Sequence, residues 1–274
     1  LASDRYLGIR ESELNGKPYA EFWNPRLAPL SETTREALAR GPVAAPLLPP
    51  VSEAPRLLEA GYHDVEHGLA LAEDGSLRVA VRIDMPGVSP GMIDWWFGWH
   101  SVEPQRYKLW HPQAHVHAAW KEADPPGLRG RERYVGRTSF VEEYLGSTAG
   151  QYSIRFLRPA ELGLSGPEVD DPAQGTIVCA RVGFTAVPLE AGYLLHHVRR
   201  TPIGSEMRCR FWLGGSNAGG RNDQLIGAAV ARVGRLVKKP TLQDGANLLV
   251  HCTQEMTHLA SFLPALFARC RDVH

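Results

Sequence analysis

A chain of 274 residues with thirty basic and thirty acidic side chains carries no net formal charge, so no overall field draws it to nucleic acid or an anionic membrane. Its mean hydropathy is −0.24, and no apolar run approaches the roughly 20 residues of a membrane span. The opening LASDRYLGIR lacks the basic-then-apolar order of a secretory signal, and four scattered cysteines form no C-x-x-C pair, so free thiols in a soluble cytoplasmic protein are expected.

Residues 1–67 are Pro- and Ala-rich and read as an arm that wraps the main body or a neighbouring subunit. Ser31-Glu-Thr-Thr34 starts a short helix ending near Gly41, and Pro42 to Pro55, with five prolines, is expected to be extended or irregular. From Gly68 the pattern turns to strands, forming with the rest a body over 68–274. Leu77 to Met85 alternates up to the Pro86-Gly87 turn. Ser89-Pro90 then opens a very aromatic helix running to His100. RYVGRTSFVEEYLG, QYSIRFLRP, GTIVCARVGF, AGYLLHHVRRT and SEMRCRFWLGG each read as a strand bounded by Gly or Pro. Gly214 to Gly220 reads as a mobile loop, since it lacks the Lys-Ser/Thr of a phosphate loop. Ile226 to Val237 and Ala246 to Cys270 are expected to be helical. Antiparallel strands followed by a long helix argue an α+β fold, the helix packed on a curved sheet around a cavity.

Chemistry-bearing side chains are grouped. His251 and Glu255 lie four apart in the last helix and share a face, where one ion could satisfy both. His111, His115 and His117 fall within seven residues, and His196 and His197 are adjacent. Imidazoles and carboxylates gathered from distant segments suit zinc. In FVEEYLG, alternation sends Glu142 and Glu143 to opposite faces, and both faces are otherwise apolar, so periodicity does not choose. His196 and His197 pose the same choice, the inward one being placed for proton transfer near neutral pH. The aromatic stretch Trp95 to Trp99, with Tyr107, Trp110 and Trp120, could line a flat pocket for a polyphenol or simply be core. No G-x-S-x-G elbow, Walker loop or G-x-G-x-x-G after a strand is present, which disfavours a serine hydrolase or nucleotide enzyme.

With those residues in hand, the chain resembles the 2,4-diacetylphloroglucinol hydrolase and phloretin hydrolase family, zinc-dependent enzymes that hydrolyse an aryl–acyl carbon–carbon bond. The likeness rests on MIDWWFGWHS (Met92 to Ser101), RYKLWHPQAHVHAAW (Arg106 to Trp120), FVEEYLG (Phe140 to Gly146), LLHHVR (Leu194 to Arg199), EMRCRFWLGG (Glu206 to Gly215) and HCTQEMTHL (His251 to Leu259). These blocks span about the C-terminal two-thirds of the chain, and the first two are the most specific.

The resemblance implies a Bet v 1-like helix-grip body, a homodimer, and a zinc ion on His115, Glu143, His251 and Glu255, with Glu142 and His111 as rivals for two of the places. It implies His196 as a catalytic histidine, with His197 close behind, and Tyr107 as a contact to substrate hydroxyls. Phe211 stands where the family has a second substrate-contacting tyrosine, and Ala118 near a family asparagine. Those departures remove polar partners, which makes phloretin or a related dihydrochalcone a better expectation than diacetylphloroglucinol. The competing reading is a helix-grip protein that only holds hydrophobic aromatic ligands, for which no His/Glu ligand set is needed.

Overall fold

The computed structural model describes residues 5–123, 127–220 and 239–272. Within them the glycine- and proline-punctuated runs form strands β1 (Gly68–Leu71), β2 (Ser76–Pro86), β3 (His115–Trp120), β4 (Thr138–Leu145), β5 (Thr148–Leu157), β6 (Gly175–Phe184), β7 (Leu189–Thr201), β8 (Gly204–Gly214) and β9 (Gly219–Gly220). The helices are α1 (Glu11–Leu14), α2 (Glu32–Arg40), α3 (Pro90–Trp99), α4 (Pro104–Trp110), α5 (Pro167–Asp170) and α6 (Leu242–Cys270). One antiparallel sheet runs β1-β2-β8-β7-β6-β5-β4-β3, and β9 pairs with β7. Helix α6 touches β1 and β2 near one edge and β4 near the other, so the sheet wraps it. The expected α+β helix grip is what the chain adopts.

Period-two alternation sorts each long strand into two faces. On β8, Met207, Cys209 and Phe211 join the core beneath α6, while Arg208, Arg210 and Trp212 point to the other side. Helix α6 answers with Leu248, Leu249, Cys252, Met256, Leu259, Leu263 and Leu266, an apolar stripe at helical spacing. Thr241 and Asp244 cap its first turn reciprocally. At Gly245 a Cβ would sit 2.8 Å from Leu77 Cδ1, so glycine lets the helix settle onto β2. Ser89 caps α3 through its hydroxyl, with Pro90 at the first helical position. Trp96 and Trp99 are fully buried core, whereas Phe97, Tyr107 and Trp110 reach the interior chamber.

The arm packs on the same body. Tyr19 is buried edge-on against Trp99 at 5.5 Å, and Ser31 caps α2, which ends at Gly41. Pro42 to Pro55 is not extended throughout: it winds into 3-10 turns at Ala45–Leu47 and Val51–Leu58, because proline's fixed φ suits the start of such turns. Ala54 and Leu57 thereby reach Leu195 and Trp212 on the outer sheet face. The outward arginines bind this cover: Arg208 donates to the Leu57 carbonyl at 2.8 Å, and Arg208 and Arg210 both hold Glu66.

Three further expectations are corrected or bounded. RYVGRTSFVEEYLG is not one strand. Its first residue, Arg133, closes a 3-10 turn over Gly130–Arg133, Gly136 stands at φ +82°, and β4 begins at Thr138. Gly214 to Gly220 is a built turn, where the Asp74 carboxylate accepts from the Ser216 amide and hydroxyl before β9 joins the sheet. Ile226 to Val237 lies outside the described residues. All four cysteines are free and buried, and no described helix is long and apolar enough to cross a membrane.

One buried polar knot ties α3 to the sheet. Asp94 accepts from the Tyr134 hydroxyl and the Thr176 hydroxyl, both at 2.7 Å, and from Arg131 at 3.1 Å. Replacing Asp94 with Ala strands these donors, so the free energy of unfolding in urea should fall by about 3 kcal/mol. A loss below about 1 kcal/mol would show that the knot is dispensable.

Candidate metal centre and active site

Antiparallel pairing sets His115 of β3 directly opposite Glu143 of β4, which places both side chains on one face. The register then shifts. His117 pairs with Glu142, so Val116 is an extra, bulged residue and His117 shares the outer face with Glu142. Glu142 is held there by Arg5 at 2.7 Å. The structure therefore separates the adjacent pair: Glu143 turns inward and Glu142 outward. Helix α6 supplies His251 and Glu255 from one face of successive turns.

These four groups meet. The ligand atoms of His115, His251 and Glu255 all lie within 4.8 Å of one another, and all three residues are buried. Nε2 of His115 is 3.5 Å from a carboxylate oxygen of Glu143 and 3.5 Å from one of Glu255. Nε2 of His251 is 3.9 Å and 3.6 Å from the same two groups. Ligand atoms around a tetrahedral zinc ion with bonds of about 2.0–2.1 Å stand about 3.3 Å apart, so a small inward adjustment suffices. His111 remains outside the cluster. Its ring stacks on His251 at 4.7 Å and so supports that imidazole from behind.

The protonation preferences of these groups bear on what the cluster could hold. Burial pushes Glu143 up to about 7 against the lowering effect of the Tyr107 hydroxyl, and it drives Glu255 well above the carboxylate range, with the Glu143 charge adding to it. Burial also pulls His251 down to about 4, holds His111 at about 3, and takes His115 well below the usual imidazole value. Neutral imidazoles beside carboxylates that resist ionisation are what a divalent cation reconciles. The Nδ1 of His115 bonds the Tyr107 carbonyl at 3.0 Å, which presents the Nε2 lone pair to the cluster. That Nε2 has no hydrogen-bond partner among the described residues. The Tyr144 carbonyl engages the His251 ring in the same manner. The donor set fits zinc.

Tyr107 binds the centre twice. Its hydroxyl donates a short hydrogen bond to Glu143, and its ring lies flat on His115 at 3.8 Å and 3°. It lines an inner chamber of about 90 Å³ together with His251, Glu255, Glu143, His196, Ser139, Phe97, Trp110, Phe156 and Phe211. His196 stacks on Phe97 and meets Phe211 edge-on at 5.9 Å, whereas buried His197 faces the other side of β7. Glu143, Ile154, Leu194, Phe211 and Leu248 also bound a second, outer chamber of about 220 Å³. Ala118 lines neither chamber and packs in the core, opposite Val141 in the β3–β4 register.

Sequence reasoning missed His100 and Ser139. His100 is buried, with Nδ1 bonded to the Trp96 carbonyl and its ring stacked 5.8 Å from Tyr107. Ser139 bonds Ser101 at 3.0 Å. Its parity with Glu143 on β4 was the available signal.

A family profile described as the DAPG hydrolase PhiG domain matches residues 47–268. The chain belongs to that family. A 2,4-diacetylphloroglucinol hydrolase of Pseudomonas protegens is 30% identical over 265 residues, covering 94% of this chain and 86% of that protein. Phloretin hydrolase of Eubacterium ramulus is 28% identical, covering 97% and 94%. Among solved structures, ginseng major latex-like protein 151 from Panax ginseng matches 67% of this chain and 98% of its own at 12% identity, with a TM-score of 0.39. Membership of this family makes the chain a hydrolase and sets aside the reading as a passive carrier.

Cation removal tests the centre. In the stripped chain the Glu143 contribution to stability is fully present below the ordinary carboxylate value near 4.5 and is lost as pH rises through about 7, while the imidazoles stay neutral. Chelation should therefore lower Tm by on the order of 5–10 °C, and by more at pH 8 than at pH 6. Equal Tm with and without chelator, read by calorimetry, would rule out a bound cation.

Proposed function

We propose that this chain hydrolyses the aryl–acyl carbon–carbon bond of an acylated phloroglucinol, using zinc held by His115, Glu143, His251 and Glu255. The observation that carries the reading is the meeting of those four groups, with Glu143, His251 and Glu255 on the wall of a ring-lined chamber that also holds an imidazole. The substrate class is supported by the two relatives, whose names give a phloroglucinol ring acylated at carbon.

The net change adds water across the bond: the ring carbon gains hydrogen and the acyl carbon gains hydroxyl, giving the arene and a carboxylic acid. Ring hydroxyls allow a keto form in which the acyl group belongs to a 1,3-dicarbonyl. Cleavage then leaves the bonding pair on the ring as an enolate. A zinc ion in this setting supplies Lewis acidity, polarising an oxygen and lowering the pKa of water towards about 7. Two carboxylate ligands temper that acidity, so proton handling falls more heavily on the chain.

His196 is the group for that work. Its Nδ1 has no hydrogen-bond partner among the described residues, and its ring borders the inner chamber, where it can hold or deliver the proton at the ring carbon. The Tyr107 oxygen donates to Glu143 and keeps lone pairs to accept from a ring hydroxyl. Phe211 offers an edge in place of a second polar partner, which favours phloretin or a related dihydrochalcone over diacetylphloroglucinol.

His251→Ala or Glu255→Ala should abolish both bound zinc and turnover, whereas Glu142→Ala keeps both. Elemental analysis beside chromatographic assay of phloroglucinol release checks this, and full activity in metal-stripped protein would refute it. His196→Ala should retain the metal and lose about 10²–10⁴-fold in kcat. A rate within twofold of the parent would dismiss the histidine.

A further inference from the structure

We propose that the outer chamber is the seat of the substrate's acyl arm, and that it selects extended, largely apolar arms over acetyl. This rests on the reading of the chain as an acylphloroglucinol hydrolase. The inner chamber, at about 90 Å³ against about 220 Å³ for the outer one, has room for one ring at most and none for an acyl arm beside it. It also holds the polar groups a polyphenol needs: Tyr107, Ser139, His196 and the His/Glu cluster.

The outer chamber, at about 220 Å³, differs in kind. Beyond the shared wall its described lining is chiefly Leu145, Val182, Phe184, Leu189, Ala191 and Leu213, with the polar groups of Tyr152, Asp244 and Lys239 also on it. A ring placed there would meet fewer polar partners than the inner chamber offers and would set more of its hydroxyls against aliphatic wall, which is costly. The opposite orientation satisfies both halves of the molecule. Glu143 lies on the wall of both chambers, so a scissile bond beside the cluster points its ring inward and its acyl group outward. An acetyl methyl leaves most of the outer chamber unfilled. Each further methylene removed from water there should strengthen binding about three- to fourfold. Ala191 and Val182, which line the outer chamber and not the inner one, are thus specificity-determining positions.

The test is a series of acylphloroglucinols from acetyl through butanoyl and hexanoyl to octanoyl. On the unsubstituted protein kcat/KM should climb about three- to fourfold per methylene until the chamber is full. Ala191→Phe and Val182→Phe, made separately, should each flatten that climb. Calorimetry with 2-methyl- and 2-hexylphloroglucinol, which have no carbonyl to hydrolyse, gives a readout independent of turnover, and the hexyl compound should bind the tighter. Acyl chains of all lengths hydrolysed equally, or a Phe substitution that lowers the acetyl and octanoyl substrates alike, would overturn the subsite while leaving the hydrolase reading intact. Tighter hexyl binding with no cleavage of any member would keep the subsite and overturn the reading it rests on. If one substitution unfolds the chain, the other and the length series still decide.

Discussion

The structure turns on one electrostatic constraint: two imidazoles and two carboxylates share the interior, each imidazole nitrogen 3.5–3.9 Å from both acids. Left bare, such a set resists ionisation of its acids and protonation of its bases, and neither arrangement stabilises the fold. A divalent cation reverses both penalties together. The groups come from a sheet edge and from the helix that the sheet grips, so the curvature of the sheet and the docking of α6 are what bring them together. Even the supports follow from this. Carbonyls of Tyr107 and Tyr144 orient the imidazoles, and the Tyr107 phenol fixes a carboxylate.

Around that centre the interior divides by polarity. One chamber gathers hydroxyl, imidazole and carboxylate groups among aromatic rings; the other is walled mainly by aliphatic side chains. The division suits the proposed substrate, with a hydroxyl-rich ring at one end and a largely apolar arm at the other. The outer face of the sheet does different work, since its arginines bind the N-terminal cover through Glu66 and backbone carbonyls.

Much of this was legible in the chain because local rules governed it. Gly and Pro bounded the strands from β5 to β8, and the i,i+4 spacing of His251 and Glu255 survives intact in α6. Where two faces of a strand were equally apolar, alternation could not choose. Glu143 was settled inward by the helix across from it, and Glu142 outward by Arg5, both tertiary facts. The choice between His111 and His115 likewise depended on where α4 ends relative to β3. The proline run escaped because its turns are stabilised by the outer sheet face and not by its own periodicity. His100 carried no spacing signal, and only packing makes it a neighbour of the chamber, whereas Ser139 had its parity with Glu143 on β4.

The bulge at Val116 has a wider consequence. In an unbroken strand His115 and His117 would project together, and a reader would take the two as a matched pair of ligands. One additional backbone unit breaks that parity and assigns them to opposite sides. The frame of this edge is therefore set by a residue count, not by side-chain identity. A relative with one residue fewer between His115 and His117 would lose the bulge and keep the same faces, so an alignment through this stretch must place its gap at Val116 before it compares the letters.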